Sequence, residues 1–221
     1  MASSTTPTTT LTTSSPTSSS STSTSTSTTT VLLIRHAEKL PWDSGLAPSK
    51  TVKAAYVDTH LLSCKGYERA QALVAYFQHR SEITALLDAR PWGGVFAQDV
   101  DVDGGWGKSE RPRETVDPLM RSPQMSQTPF ILYKKSDAEY MTKQILAGKY
   151  AGRTVLVSWC HQMLPQLARD LGVPASDVPE WDKKRFDMTW VVDVTVAKGE
   201  AKATLRQFPQ RLLYGDSDAT M

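Results

Sequence analysis

The chain has little that would place it in an oxidising compartment, in a membrane or on nucleic acid. Its two cysteines, Cys64 and Cys160, form neither a disulfide framework nor a metal-ligand spacing, so a reducing, cytoplasmic setting is expected. No apolar run is long enough to cross a bilayer. A formal net charge of +2 over 221 residues is too small to mark a nucleic-acid or membrane surface. Neither is expected as a partner. The first thirty residues contain no Lys, Arg, Asp or Glu, and Leu11 is their one large aliphatic residue after Met1. Almost everything else there is Ser, Thr or Pro. Such a stretch cannot bury enough apolar surface to offset its ordering entropy, so residues 1–30 are expected to be a disordered tail. They also lack the basic and apolar regions of a secretory signal and the Arg-bearing amphipathic helix of a mitochondrial presequence.

Residues 31–221 read as one globular domain. Val31-Leu32-Leu33-Ile34 is a run of apolar, partly β-branched residues, the pattern of a strand buried on both faces. It leads into Arg35-His36-Ala37-Glu38-Lys39, and a loop with Pro and Gly follows from Leu40 to about Ser49. Lys65 to Phe77 places apolar side chains at helical spacing. Gly94–Ala97 is a second short strand, and the polar stretch from Asp99 to Ser109 is rich in Gly. Arg111 to Leu119 opens with Pro112, which suits a first helical turn. Phe130–Tyr133 reads as a strand. Asp137–Leu146 reads as a helix with Ser136 as a candidate cap and Gly148 as its stop. Thr154–Trp159 is another buried strand, running into Cys160-His161. Met163–Leu171 is helical and ends at Gly172. Trp190–Val196 and Ala203–Phe208 are two late strands around a turn at Lys198-Gly199.

Alternating strands and helices predict an α/β domain, a three-layer α/β/α sandwich with a mostly parallel sheet. Ligands of such sheets bind outside the carboxyl ends of the strands. His36 and His161 both follow strong strand candidates, which suggests a shared site. A neutral imidazole is a competent nucleophile toward phosphorus, and cations around it hold the charged oxygens of a phosphate. Arg35 supplies a planar donor beside His36, while Arg111 and Arg113 stand at a helix start. Each alone has a bland reading: a His after a strand is usually hydrogen-bonded structure, and an Arg at a helix start is usually a solvated charge.

In order along the chain, four segments resemble the motifs of the histidine phosphatase (phosphoglycerate mutase-like) superfamily. Leu33-Ile34-Arg35-His36-Ala37-Glu38 resembles its Arg-His-Ala-Glu signature. Leu62 to Ala70 resembles its Leu-Thr-x-x-Gly-x-x-Gln-Ala helix entry, with Arg69 in the Gln place. Arg111-Pro112-Arg113-Glu114-Thr115 resembles an Arg-Ala-x-x-Thr motif, and Val155 to His161 resembles the strand that delivers a second His. The resemblance covers residues 31 to about 208. It implies a phosphoglycerate mutase-like fold and a metal-independent phosphomonoester hydrolase without cofactor. His36 would form a phosphohistidine, and Arg35, Arg111 and His161 would hold the phosphoryl oxygens. Arg113 is the runner-up to Arg111. Asp137 or Glu139 would be the leaving-group acid, unless each is only a carboxylate favourable to a helix start. Glu38 is expected at the rim, and Gln162 either at the substrate or capping the next helix. Gln98-Asp99 departs from the family's Ser-Pro, which leaves the substrate open.

The expected substrate is a small phosphorylated metabolite or, second, a phosphoprotein, with the chain monomeric or weakly self-associated. A mutase, a phosphohistidine protein phosphatase and a catalytically silent binding protein are the alternatives. A metal hydrolase drawing on the four histidines, His36, His60, His79 and His161, with Asp58, Asp99, Asp101 and Asp103 is a weaker one. Asp99-x-Asp101-x-Asp103-Gly104 has some features of a calcium loop, but the glycines and Trp106 within it fit poorly. Cys160 reads as a packed thiol. Trp42, Trp106, Trp159 and Trp181 are expected to serve packing before any pocket.

Overall fold

The computed structural model describes residues 1–2, 27–39, 61–101, 109–197 and 199–221. Most of the expected tail, the loop after Leu40, and Trp42, Asp58, His60, Asp103 and Trp106 lie outside the described residues. So does the centre of the calcium-like run.

The protein is an α/β fold with a six-stranded, mostly parallel mixed sheet and five helices among the described residues. The elements are β1 (Ser27–Arg35), α1 (Cys64–His79), α2 (Ser81–Ala89), β2 (Trp92–Gln98), α3 (Arg111–Met120), β3 (Phe130–Tyr133), α4 (Ala138–Leu146), β4 (Thr154–Trp159), α5 (Leu164–Asp170), β5 (Met188–Ala197) and β6 (Glu200–Pro209). The strand order is β3-β2-β4-β1-β5-β6. The first four of that row run parallel, and β5 and β6 add an antiparallel hairpin at one edge. Both apolar runs predicted to be buried, β1 and β4, lie in the middle of the sheet, paired with each other from Thr30↔Thr154 to Arg35↔Trp159.

Period-two alternation divides the core. Val31, Leu33, Val155, Val157 and Trp159 join Met141 and Ile145 of α4 and Leu164 and Leu167 of α5 in one apolar cluster. Leu32, Ile34 and Leu156 join Leu73 and Phe77 of α1, Ile83 of α2 and Val116 and Leu119 of α3 in another. Trp159 and Trp181 are core residues, as expected.

Three expectations need correcting. The ordered domain begins before Val31: Ser27 to Thr30 belong to β1 and pair with β5. Thr29 and Thr30 are buried, and their hydroxyls are satisfied by the Tyr150 carbonyl at 3.0 Å and the Asp193 carboxylate at 2.7 Å. β-Branched threonines suit a strand once such partners exist, so a composition shared with the tail hid them. The second correction is α2, which the expected elements omitted. The third is the cap of α4, which is Asp137 instead of Ser136, and neither side chain bonds the helix end.

Gly148 and Gly172 do follow α4 and α5, at φ of 81° and 98°, the left-handed conformation that stops a helix. No described helix is long and apolar enough to cross a membrane.

Candidate functional site

The parallel strands end on one side of the sheet, and a cleft of about 150 Å³ opens there. Arg35 and His36 reach it from the end of β1, Gln98 from the end of β2, Lys135 from just beyond β3, and Cys160, His161 and Gln162 from just beyond β4. Lys39, Ser109 and the first turn of α3, with Arg111 and Pro112, complete the lining. A helix N-terminus adds partial positive charge to an already cationic cleft. No carboxylate lines it among the described residues.

His36 is nearly fully buried, and its backbone amide donates to the Trp159 carbonyl at 3.0 Å. That bond extends the β1–β4 ladder by one residue and fixes the ring's position. The ring Nδ1 lies 2.7 Å from the Ala37 carbonyl oxygen. A carbonyl can only accept, so Nδ1 carries the proton and Nε2 keeps its lone pair. Burial, and then the charges of Arg111 and Arg35, push the His36 pKa well below the ordinary value, so the ring is neutral. The local arrangement therefore leaves an unprotonated nitrogen among cations.

Arg35 is buried without a carboxylate partner among its hydrogen bonds. Its Nη1 donates to the Lys183 and Arg185 carbonyls at 2.6 and 3.0 Å, and its guanidinium lies 3.7 Å over the Phe186 ring. Burial and the neighbouring Arg111 charge pull its pKa down to about 10, still far above neutrality. The cation remains, and its charge is only partly compensated.

Thr115 anchors the helix turn that brings Arg111 to the cleft. Its hydroxyl donates to the Arg111 carbonyl at 2.7 Å and accepts from the Ala37 amide at 2.8 Å. One buried side chain thus fastens the first turn of α3 to the residue after His36. The four-residue spacing from Arg111 to Thr115 is one helical turn, which is what this back-bond needs.

His161 lines the cleft, half-buried, with Nδ1 shielded and unpaired within the protein. Burial, with Arg35 and Lys39, lowers its pKa to about 4, against an opposing pull from Asp182. Gln98 Oε1 and Ser109 Oγ are likewise buried without a protein partner. Burial pushes the Cys160 thiol up, which makes it a poor nucleophile; it packs on the core while touching the cleft.

The cleft thus collects Arg35, His36, Arg111, His161 and Gln162. It does not collect the other candidates. Arg113 is half-exposed and paired with Asp117 at 3.9 Å, because two residues along a helix turn a side chain away from Arg111. Glu139 is exposed and bound to Lys143 at 2.7 Å, which lowers its pKa; it is an ionised helix-surface carboxylate. Asp137 stands at the N-cap position of α4, outside the lining of the cleft. Glu38 is turned inward to Arg69, at 2.8 and 2.9 Å.

The residues that sequence reasoning missed are Lys39, Lys135, Ser109, Phe186 and the two carbonyls that hold Arg35. Gln98 was visible only as a departure from the family pattern. Among the described residues no three His, Cys, Asp or Glu side chains group closely enough to hold a metal ion. No family model matches the chain, and no curated protein matches it either.

Proposed function

We propose that the protein is a metal-independent phosphomonoester hydrolase of the histidine phosphatase type, on a three-layer, phosphoglycerate mutase-like fold. The observation that carries this reading is the His36 ring: its Nδ1 is committed to the Ala37 carbonyl and its other nitrogen is unprotonated beside Arg35, Arg111 and His161. Oxygens of a phosphomonoester dianion would take donors from Arg35, Arg111 and the first turn of α3. His36 Nε2 would attack phosphorus as the P–O bond to the leaving group breaks. The departing oxygen takes a proton from solvent, and water then attacks phosphorus as the P–N bond breaks, releasing inorganic phosphate and restoring the neutral ring. The donors act because they are in place before charge develops. The substrate class is a small phosphorylated metabolite, with a phosphoprotein second.

The test uses an aryl phosphate, whose leaving group needs little protonation. Acid-labile phosphate should form on His36, turnover should survive EDTA, and His36→Ala should lose both label and turnover. Full activity in His36→Ala sinks the mechanism. The absence of a carboxylate among the described cleft residues favours a second reading, a phosphate-binding protein without turnover. Phosphate binding with no label would select it.

A further inference from the structure

Arg69 occupies a place that neither packing nor the cleft accounts for. It lies in the buried stripe of α1 with Gly66, Ala70 and Leu73, where an apolar residue would serve. Instead its guanidinium is gripped on two sides. Nε and Nη2 donate to the two Glu38 carboxylate oxygens at 2.9 and 2.8 Å. Nη1 and Nη2 donate to the two Asp216 oxygens at 2.9 and 2.7 Å. Asp216 in turn accepts from the Leu212 and Leu213 amides. Arg69 therefore ties Glu38 to the C-terminal segment.

Glu38 matters because of the peptide bond that precedes it. The Ala37 carbonyl, which accepts from His36 Nδ1, belongs to the Ala37–Glu38 peptide plane. The peptides on either side of that plane are held: the Ala37 amide donates to Thr115, and the Glu38 carbonyl accepts from the Ser63 amide at 2.9 Å, while the Glu38 carboxylate is held by Arg69. A β-carbon at Gly66 would lie 2.3 Å from that same Glu38 carbonyl oxygen, so the start of α1 is pressed against it. The C-terminal segment braces the other flank as well. Arg185 pairs with Asp187 and donates to the Ser217 and Ala219 carbonyls, and the Arg185 carbonyl holds Arg35. Both members of the Arg35-His36 pair are thus steadied by residues from 210 onward.

We propose that Arg69, with Glu38 and Asp216, is a positioning device for the His36 tautomer: it orients the Ala37 carbonyl that keeps the proton on Nδ1. This rests on the reading of His36 as nucleophile, but its primary readout does not require turnover. The experiment compares wild type, Glu38→Gln and Asp216→Asn, each checked for folding, by ring ¹⁵N chemical shifts of His36 and by steady-state kinetics on an aryl phosphate. Glu38→Gln should shift the ring nitrogens toward a mixture of tautomers. It should lower kcat on the order of tenfold through loss of nucleophile alignment, with KM changed less than about twofold because the phosphate donors are untouched. Asp216→Asn should do the same more weakly. A purely structural ion cluster would lower the melting temperature and leave the ¹⁵N shifts and kcat alone, and that result overturns the proposal. If Glu38→Gln does not fold, Asp216→Asn decides: unchanged ring shifts overturn the proposal. If the wild type neither turns over nor forms phosphohistidine, the phosphatase reading fails by itself, and the ring shifts still decide whether Arg69 positions His36.

Discussion

Arg35 and Arg69 are both 2 % exposed, yet their surroundings are opposite. Arg69 has two carboxylates within 3 Å, and burial is outweighed by those partners, so its pKa is raised. Arg35 has two carbonyls and an aromatic face, and burial wins, so its pKa falls to about 10. Carbonyl oxygens and a ring quadrupole orient a guanidinium without cancelling its charge. Arg69 is neutralised by its partners, whereas Arg35 keeps a charge that is only partly compensated, the charge that the proposed function assigns to a phosphoryl oxygen. Burial alone does not separate the two roles; the identity of the acceptors does.

The largest expected effects come from removing each cation in turn. Arg69→Met leaves the largely enclosed Glu38 and Asp216 carboxylates without their cation, and should cost about 3–5 kcal/mol of unfolding free energy, read by chemical denaturation. Arg35→Met relieves a buried charge; the Lys183 carbonyl loses its donor while the Arg185 carbonyl keeps the Trp181 indole, so stability should stay within about 1 kcal/mol of wild type. Its loss should appear in turnover of an aryl phosphate, on the order of a hundredfold or more. Equal stability losses in the two variants would erase the distinction.

A smaller effect separates the two regions by pH. His161 has a folded pKa of about 4 against an ordinary 6.5, and His36 is depressed as well. Below 6.5 the unfolded chain takes up protons that the folded chain refuses, so stability contributed by the cleft is present above 6.5 and is lost as pH falls toward 4. Asp216 is depressed from 3.8 to about 2 by its hydrogen bonds to Arg69 and nearby amides, against burial. Its contribution persists until pH falls below 3.8. Denaturation midpoints of His161→Gln should therefore decline less steeply than those of wild type between pH 6.5 and 4, and should run parallel to them below that. An unchanged slope would show that His161 is not held neutral.

The smallest effect tests the two arginines of α3. Arg113→Ala removes a partly exposed pair with Asp117 and should cost about 0.3–0.5 kcal/mol, leaving turnover unaltered. A loss of activity comparable to that of Arg111→Ala would return Arg113 to the cleft.

Much of the frame was legible because the signals were local. Four apolar residues in a row announced β1, and Val155-Leu156-Val157 announced β4. Of the two arginines in the motif resemblance, Arg111, four residues before Thr115, lines the cleft, and Arg113 does not. The helix α2 was also written locally, with Ile83, Leu86 and Leu87 on one face, but its shortness and polar flanks concealed it. What could not be read was whatever depends on distant chain. Phe186 and the Lys183 and Arg185 carbonyls reach Arg35 from about 150 residues away, and backbone carbonyls carry no sequence signal. The inward turn of Glu38 needed knowledge of Arg69 and Asp216 together. The carboxylates proposed as acids failed for a related reason: Asp137 and Glu139 lie near Lys135 in sequence, but the start of α4 carries them away from the cleft that Lys135 lines.

The register of β1 against β4 has one more consequence. Arg35 faces Trp159, and the next amide, that of His36, closes on the Trp159 carbonyl. Deleting any one residue within Thr154–Trp159 would exchange the two faces of that strand and carry His161 away from its counterpart. Exchanging one aliphatic residue for another would do neither. Over this stretch the number of residues sets where His161 emerges, while the identities of these buried side chains set the packing on the two faces.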